Sequence, residues 1–222
     1  MTNRTLVVSI DALITADIPV LRQLPNLGRV MEHASWITDI ECIYPTLTYP
    51  CHATIATGCW PDRTGINNNE IPDFFAKGRM DWYWWREAIQ VPTVVDFARQ
   101  AGLTASTVTW PVMCASGAEY NIGEIWAPRE EDDPTPWFTR ANSPAVAEIF
   151  EANKHMLRWM KTPQMDEFAA KCAADIIRAH RPDLMLLHLS YVDHQRHRLG
   201  VHGDLELSLI HISEPTRPIS IS

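Results

Sequence analysis

Between Tyr44 and Ile66 the chain reads YPTLTYPCHATIATGCWPDRTGI, which gathers Thr46, Thr48, Cys51 and His52 into one short stretch. A threonine hydroxyl becomes a useful nucleophile only when something removes its proton. Metal coordination does so by stabilising the alkoxide, and a carboxylate such as Asp11 is suited to holding that metal. Both threonines precede a helix expected to begin near Cys51, and a helix N-terminus offers free N–H groups and partial positive charge to a phosphate. The plainer alternative makes both of them capping or turn residues. Cys51 and His52 suggest a cysteine hydrolase, but adjacent residues on a helix face different directions, so His52 is not expected to serve Cys51 as a base. In DHQRH, Asp193 and His197 are spaced i, i+4 and on a helix could grip one divalent cation. The same pair would also suit a surface helix start, and His194 is expected to lie behind the ligands or in solvent.

These residues need elements to position them. The apolar run Leu6 to Ile10 predicts a strand buried on both faces and ending on Asp11, and Leu184 to Leu189 predicts a second with Asp193 just beyond it. Open α/β sheets bind ligands beyond the carboxyl ends of their strands, so Asp11 and Asp193 are expected to share a site. Trp36 to Ile43 and Thr104 to Thr109 read as further strands. Pro25 to His33, Cys51 to Thr57 (stopping at Gly58) and Val94 to Gln100 (closed by Gly102) read as helices. Ser143 and Pro144 predict the start of a helix with an apolar stripe of Val146, Ile149, Phe150, Leu157 and Met160. The next helix is expected to bury Ala169, Cys172, Ala173, Ile176 and Ile177. The acidic, proline-bearing stretch from Gly117 to Pro136 reads as a surface excursion.

The whole chain has 222 residues, 46% hydrophobic and 21% charged, an ordinary globular composition. A net charge of −8 without any Lys/Arg-rich run argues against nucleic acid as a partner. Five cysteines without CxxC spacing argue against a disulfide framework or a cysteine zinc knuckle and fit a reducing compartment. Apolar runs are too short for a signal segment or a membrane span, so a cytoplasmic protein without a membrane partner is expected. After Glu206 the chain reads LSLIHISEPTRPISIS, similar to a translated sequencing-adaptor tail. The expected organisation is residues 1–206 as the N-terminal portion of a truncated catalytic domain and 207–222 as a non-native tail. The aromatic run Trp82 to Trp85 suits either a base-stacking platform or core packing.

Four motifs, in order, resemble the type I phosphodiesterase/nucleotide pyrophosphatase branch of the alkaline phosphatase superfamily. They are SIDAL (Ser9 to Leu13), PTLTYPCHATIATGCWPDRTGINNN (Pro45 to Asn69), PTVVDFARQAGLTASTVTWP (Pro92 to Pro111) and YVDHQRHRLG (Tyr191 to Gly200). The resemblance implies an α/β fold with a central, mostly parallel sheet flanked by helices, incomplete at the C-terminus. It implies Thr48 as nucleophile, forming a phospho-threonine that water hydrolyses, and Asn69 as a contact to the phosphate oxygens. It further implies two divalent cations, zinc expected, held by Asp11, Thr48, Asp193 and His197, with a small phosphodiester or nucleotide as substrate.

The chain departs from the family pattern in three places. Cys51 replaces an asparagine and is expected to be a packing change. Arg196 replaces the glycine of DHxGH and is expected to reach the substrate or face solvent. The family's SDHG motif and final histidine are missing, which leaves the second metal site incomplete and makes this chain by itself an expected inactive fragment. Sulfatases are disfavoured, since Thr48 to His52 lacks their convertible residue and arginine. The alternatives are a phosphonoacetate-hydrolase-like enzyme and a non-catalytic metal-binding module of the same fold. Oligomeric state is not legible.

Overall fold

The computed structural model describes residues 4–38, 40–72, 81–125, 133–157 and 164–201. In chain order the elements are β1 (Thr5–Ile10), α1 (Ile18–Leu21), α2 (Pro25–Met31), α3 (Thr48–Thr57), α4 (Pro61–Thr64), α5 (Val94–Gln100), β2 (Ala105–Val108), β3 (Tyr120–Ile122), α6 (Thr135–Ala141), α7 (Ala147–Asn153), α8 (Gln164–His180), β4 (Leu184–Leu189) and α9 (Tyr191–Leu199). The four strands form one sheet in the order β1-β4-β2-β3, parallel at every pairing. β4 therefore enters last in sequence and sits between β1 and β2.

Side chains alternate across a strand, and the apolar run LMLLHL uses both faces of the sheet. Met185, Leu187 and Leu189 meet Phe138, Phe150 and Phe168 in one core, while Leu184 and Leu186 meet Tyr49, Val95 and Trp110 in the other. This is the expected α/β architecture, with every residue of β4 buried. β1 differs from its expected two-sided burial: it lies at the sheet edge, and Leu6 and Val8 are 51% and 45% exposed. The next expected strand, Trp36 to Ile43, is irregular in its described residues. Among the described residues no strand pairs with it, and its β-branched residues lie outside the core, Ile37 at 79% and Ile40 at 75% exposure.

The Gly117 to Pro136 stretch also departs from expectation, because it contains β3, with Asn121 and Ile122 buried. Three residues, YNI, are too few to show a period. What makes them a strand is tertiary: the Asn121 side chain bridges the Thr107 hydroxyl and the Ala141 carbonyl. The helix expected from Ser143 onwards is broken into a 3-10 turn at Pro144–Val146, α7 and a second 3-10 turn at Lys154–Met156, while Met160 lies outside the described residues. Ile177, expected inside, is 41% exposed on the outer side of α8. No helix among the described residues is long and apolar enough to cross a membrane. The proposed tail, 207–222, lies outside them.

Candidate active site at the carboxyl edge of the sheet

All four strands point the same way, so their C-terminal ends bring Asp11, Thr109, Glu124 and Ser190 to one edge of the sheet. Asp11 is the first residue beyond β1. Its N–H donates to the Leu189 carbonyl at 2.9 Å, and its Oδ1 accepts from the Ala12 N–H at 2.9 Å. The other oxygen, Oδ2, accepts a hydrogen bond from the Thr48 hydroxyl at 3.0 Å. Thr48 is the first residue of α3, which begins three residues before the expected Cys51. Leu47, at the N-cap, supplies no side-chain cap. Thr48 is thus aimed at Asp11 rather than used as a cap, and Thr46 stands exposed.

Asn69 reaches the same helix start, its Oδ1 accepting from the Tyr49 N–H at 2.9 Å. That bond fixes the orientation of the amide, and among the described residues its NH₂ has no hydrogen-bond acceptor and can donate to an anion.

His52, one turn into α3, fixes Thr48 from below. Its Nδ1 lies 2.7 Å from the Thr48 carbonyl and its Nε2 lies 2.9 Å from the Ser9 hydroxyl. A carbonyl can only accept, so Nδ1 carries the proton. Burial, then the charge of His188, push the His52 pKa down to about 3, which makes Nε2 the acceptor of the Ser9 O–H. His188, inside β4, has the opposite character. Its Nδ1 donates to the Thr109 carbonyl at 3.1 Å and its Nε2 faces Asp11 Oδ2 at 3.6 Å. Burial lowers the His188 pKa, but Asp11 and Glu124 outweigh it and hold the group above the usual histidine value. Burial likewise raises Asp11, and His188, His52 and the Thr48 hydroxyl reverse this, holding its carboxyl below the usual range.

Glu124 is largely enclosed, with Oε1 4.0 Å from His188 Nδ1. Burial drives its pKa up to about 7, with His188 opposing and Asp11 adding to the rise. Neither His188 nor Glu124 is apparent from the sequence, since one lies within an apolar strand and the other in a stretch that reads as surface. The detectable signal is confined to His188, the polar residue inside an otherwise apolar run.

α9 carries Asp193 and His197 on one side as expected, 3.4 Å apart. Burial and the charge of Asp11 raise the Asp193 pKa, with His197 opposing. The His197 side chain is 79% exposed. Among the described residues no three His, Cys, Asp or Glu side chains close on one point as a metal ion requires. The donor chemistry nevertheless fits a cation: the charge of Asp11 raises the proton affinity of Asp193 across a site that also has an imidazole at its rim.

Arg196 neither faces solvent nor lies free to reach a substrate, contrary to both expectations; it is buried and bound to Asp17 by both carboxylate oxygens. Cys51 is no nucleophile. Its thiol lies 3.4 Å from that of Cys42, and burial, then Cys42, push its pKa up to about 12, while both nitrogens of His52 are engaged elsewhere. The four aromatic residues Trp82 to Trp85 are partly buried against the two cores, Trp82 lying edge-on to Tyr49 at 5.3 Å.

Residues 5–211 match the family described as type I phosphodiesterase / nucleotide pyrophosphatase. A venom phosphodiesterase of Macrovipera lebetinus is 26% identical over 196 residues, 84% of this chain and 19% of the relative. Human ectonucleotide pyrophosphatase/phosphodiesterase family member 1 is 27% identical over 112 residues, 46% of this chain and 11% of the relative. The chain thus spans only about a fifth or less of these relatives. Among solved structures, human ectonucleotide pyrophosphatase / phosphodiesterase 5 shares the fold with a TM-score of 0.57 and 18% identity over 94% of this chain and 48% of that one. Phosphonoacetate hydrolase from Sinorhizobium meliloti 1021 does so with a TM-score of 0.56 and 18% identity over 87% and 48%. With the match spanning nearly the whole length, and with the parallel sheet and its carboxyl-edge residues in the order of the motifs, the chain belongs to the type I phosphodiesterase/nucleotide pyrophosphatase family of hydrolases.

Proposed function

We propose that this chain supplies the nucleophile half of a phosphodiester or pyrophosphate hydrolase working through a phospho-threonine. The observation that carries the reading is the 3.0 Å hydrogen bond from the Thr48 hydroxyl to Asp11, at a helix start that Asn69 also reaches. Thr48 Oγ passes its proton to Asp11 Oδ2, the acceptor of its hydrogen bond, and attacks phosphorus in line. The Oγ–P bond forms as the bond to the leaving oxygen breaks, and water then cleaves the phospho-threonine. Asn69 NH₂ donates to a non-bridging oxygen, while His52 holds the Thr48 carbonyl and so the direction of the hydroxyl. Asp11, Thr48, Asp193 and His197 are the residues to hold divalent cations, zinc expected, which when bound lower the proton affinity of the hydroxyl and offset phosphate charge. Four donors are too few for two cations, so the chain alone is expected to be inactive.

The test is hydrolysis of bis-p-nitrophenyl phosphate against p-nitrophenyl phosphate, with zinc, by a chain extended to the length of its relatives. Diester preference that falls by at least roughly 10³-fold in Thr48→Ala supports the reading. Preference for phosphonoacetate would move the assignment to that hydrolase, whose fold this chain shares. Inactivity on all three substrates with zinc bound would favour the non-catalytic module.

A further inference from the structure

Arg196 lies on α9 between Asp193 and His197, where a bare guanidinium would repel a cation. The fold neutralises and redirects it. Nη2 donates to both oxygens of Asp17 at 2.8 Å, Nη1 donates to the Ala12 carbonyl, and the two side chains are only 6% and 10% exposed. Asp17 Oδ2 also takes the Ile14 N–H at 2.9 Å, closing the turn that follows Asp11. Ala12 sits in the left-handed region at φ +59°, and its own N–H is the donor to Asp11 Oδ1. An alanine holds such a conformation only where its surroundings over-determine it. Here Arg196 grips the carbonyl of Ala12 while Asp11 takes its N–H, so the peptides on both sides of that residue are held.

The apolar contact of Val192 with Leu21 and Leu24 already joins α9 to the segment after β1. A buried ion pair adds little net stability beyond such packing, because desolvation offsets the attraction. What it adds is direction. We propose that Arg196 is a positioning residue: acting through Ala12 and Asp17, it locks the Asp11 turn against α9 and so sets the separation of Asp11 from Asp193 and His197. The proposal rests on reading these three residues as cation ligands. It gives the arginine a role that neither a substrate contact nor a solvent-facing side chain would have.

The test is zinc affinity of this chain, measured by competition with a chromophoric chelator, in the wild type, Arg196→Met, Asp17→Asn, Arg196→Lys, Asp193→Asn and Leu24→Ala. Arg196→Met and Asp17→Asn are expected to weaken zinc about 10-fold or more, the scale seen when groups that orient ligands are lost. Arg196→Lys keeps the charge but cannot span both partners, so it recovers only part of the affinity. Leu24→Ala, which loosens the same interface without touching the clamp, is expected to stay within about twofold of the wild type despite lowered stability. Zinc affinity unchanged in Arg196→Met but lost in Asp193→Asn overturns the positioning role alone, as does a loss in Leu24→Ala equal to that in Arg196→Met. A wild-type chain that takes up no zinc overturns the ligand reading and the positioning role with it.

Discussion

His52 is neutral because enclosure and then the nearby His188 outweigh the Thr48 carbonyl and Asp11, both of which favour the charged ring; the carbonyl decides only that the one proton sits on Nδ1. Its pKa falls from 6.5 in the unfolded chain to about 3 in the fold. Between those values the unfolded chain binds a proton that the folded chain refuses, so the stability contributed by neutral His52 is complete above pH 6.5 and drains away as pH falls towards 3. His52→Gln keeps a donor for the Thr48 carbonyl and abolishes the titration. Urea midpoints at pH 7 and 4.5 are expected to show the variant less stable at pH 7 but losing less than the wild type on acidification. Parallel losses would mean that His52 is protonated in the fold. Thr48, Asn69 and Asp11 are legible as residues because their types and motif spacing suit phosphate chemistry. His52 is legible only negatively, as a poor base for Cys51, because its partner Ser9 lies 43 positions away.

At the scale of elements, α9 starts without a cap of its own: Ser190 makes no side-chain cap bond. Asp166, in the first turn of α8, does the work from outside, accepting the N–H groups of Ser190 and Tyr191, each at 2.9 Å. The Tyr191 amide is buried and the Ser190 amide partly so, and Asp166→Ala is expected to cost about 1–3 kcal/mol in urea unfolding, with Asp166→Asn, which keeps one acceptor, costing about half as much. An equal cost for the two would point to charge rather than capping. The end of α3 gives a complementary case. Gly58 closes it at φ +67°, and a methyl group added there would meet no atom within 4 Å, so Gly58→Ala carries only backbone strain, expected at about 1 kcal/mol in the same unfolding measurement. The glycine stop is readable because it is local in sequence. The Asp166 cap is not, since an acid in the first turn of one helix looks like ordinary compensation of that helix's own dipole.

At the scale of the whole molecule, β1 is an edge strand with Leu6 and Val8 turned to solvent on one face. Exposed apolar edge strands template association. Leu6→Lys with Val8→Thr is expected to lower self-association in light scattering while changing stability by no more than about 0.5 kcal/mol. Unchanged association would place the adhesive surface elsewhere, with exposed Ile37 and Ile40 the next to vary. The sequence by itself determined the class of the fold and most of its elements, because apolar period, proline and glycine act over a few residues. It also marked Thr48, Asn69, Asp11, Asp193 and His197, through motif order. Only the tertiary structure decided the company these residues keep. The late entry of β4 between β1 and β2 puts His188 against Asp11, the pairing of β3 with β2 turns Glu124 inward, and the docking of α9 buries Arg196 on Asp17, 179 positions away. Those contacts follow from strand order and helix docking, and no local pattern of residues encodes either.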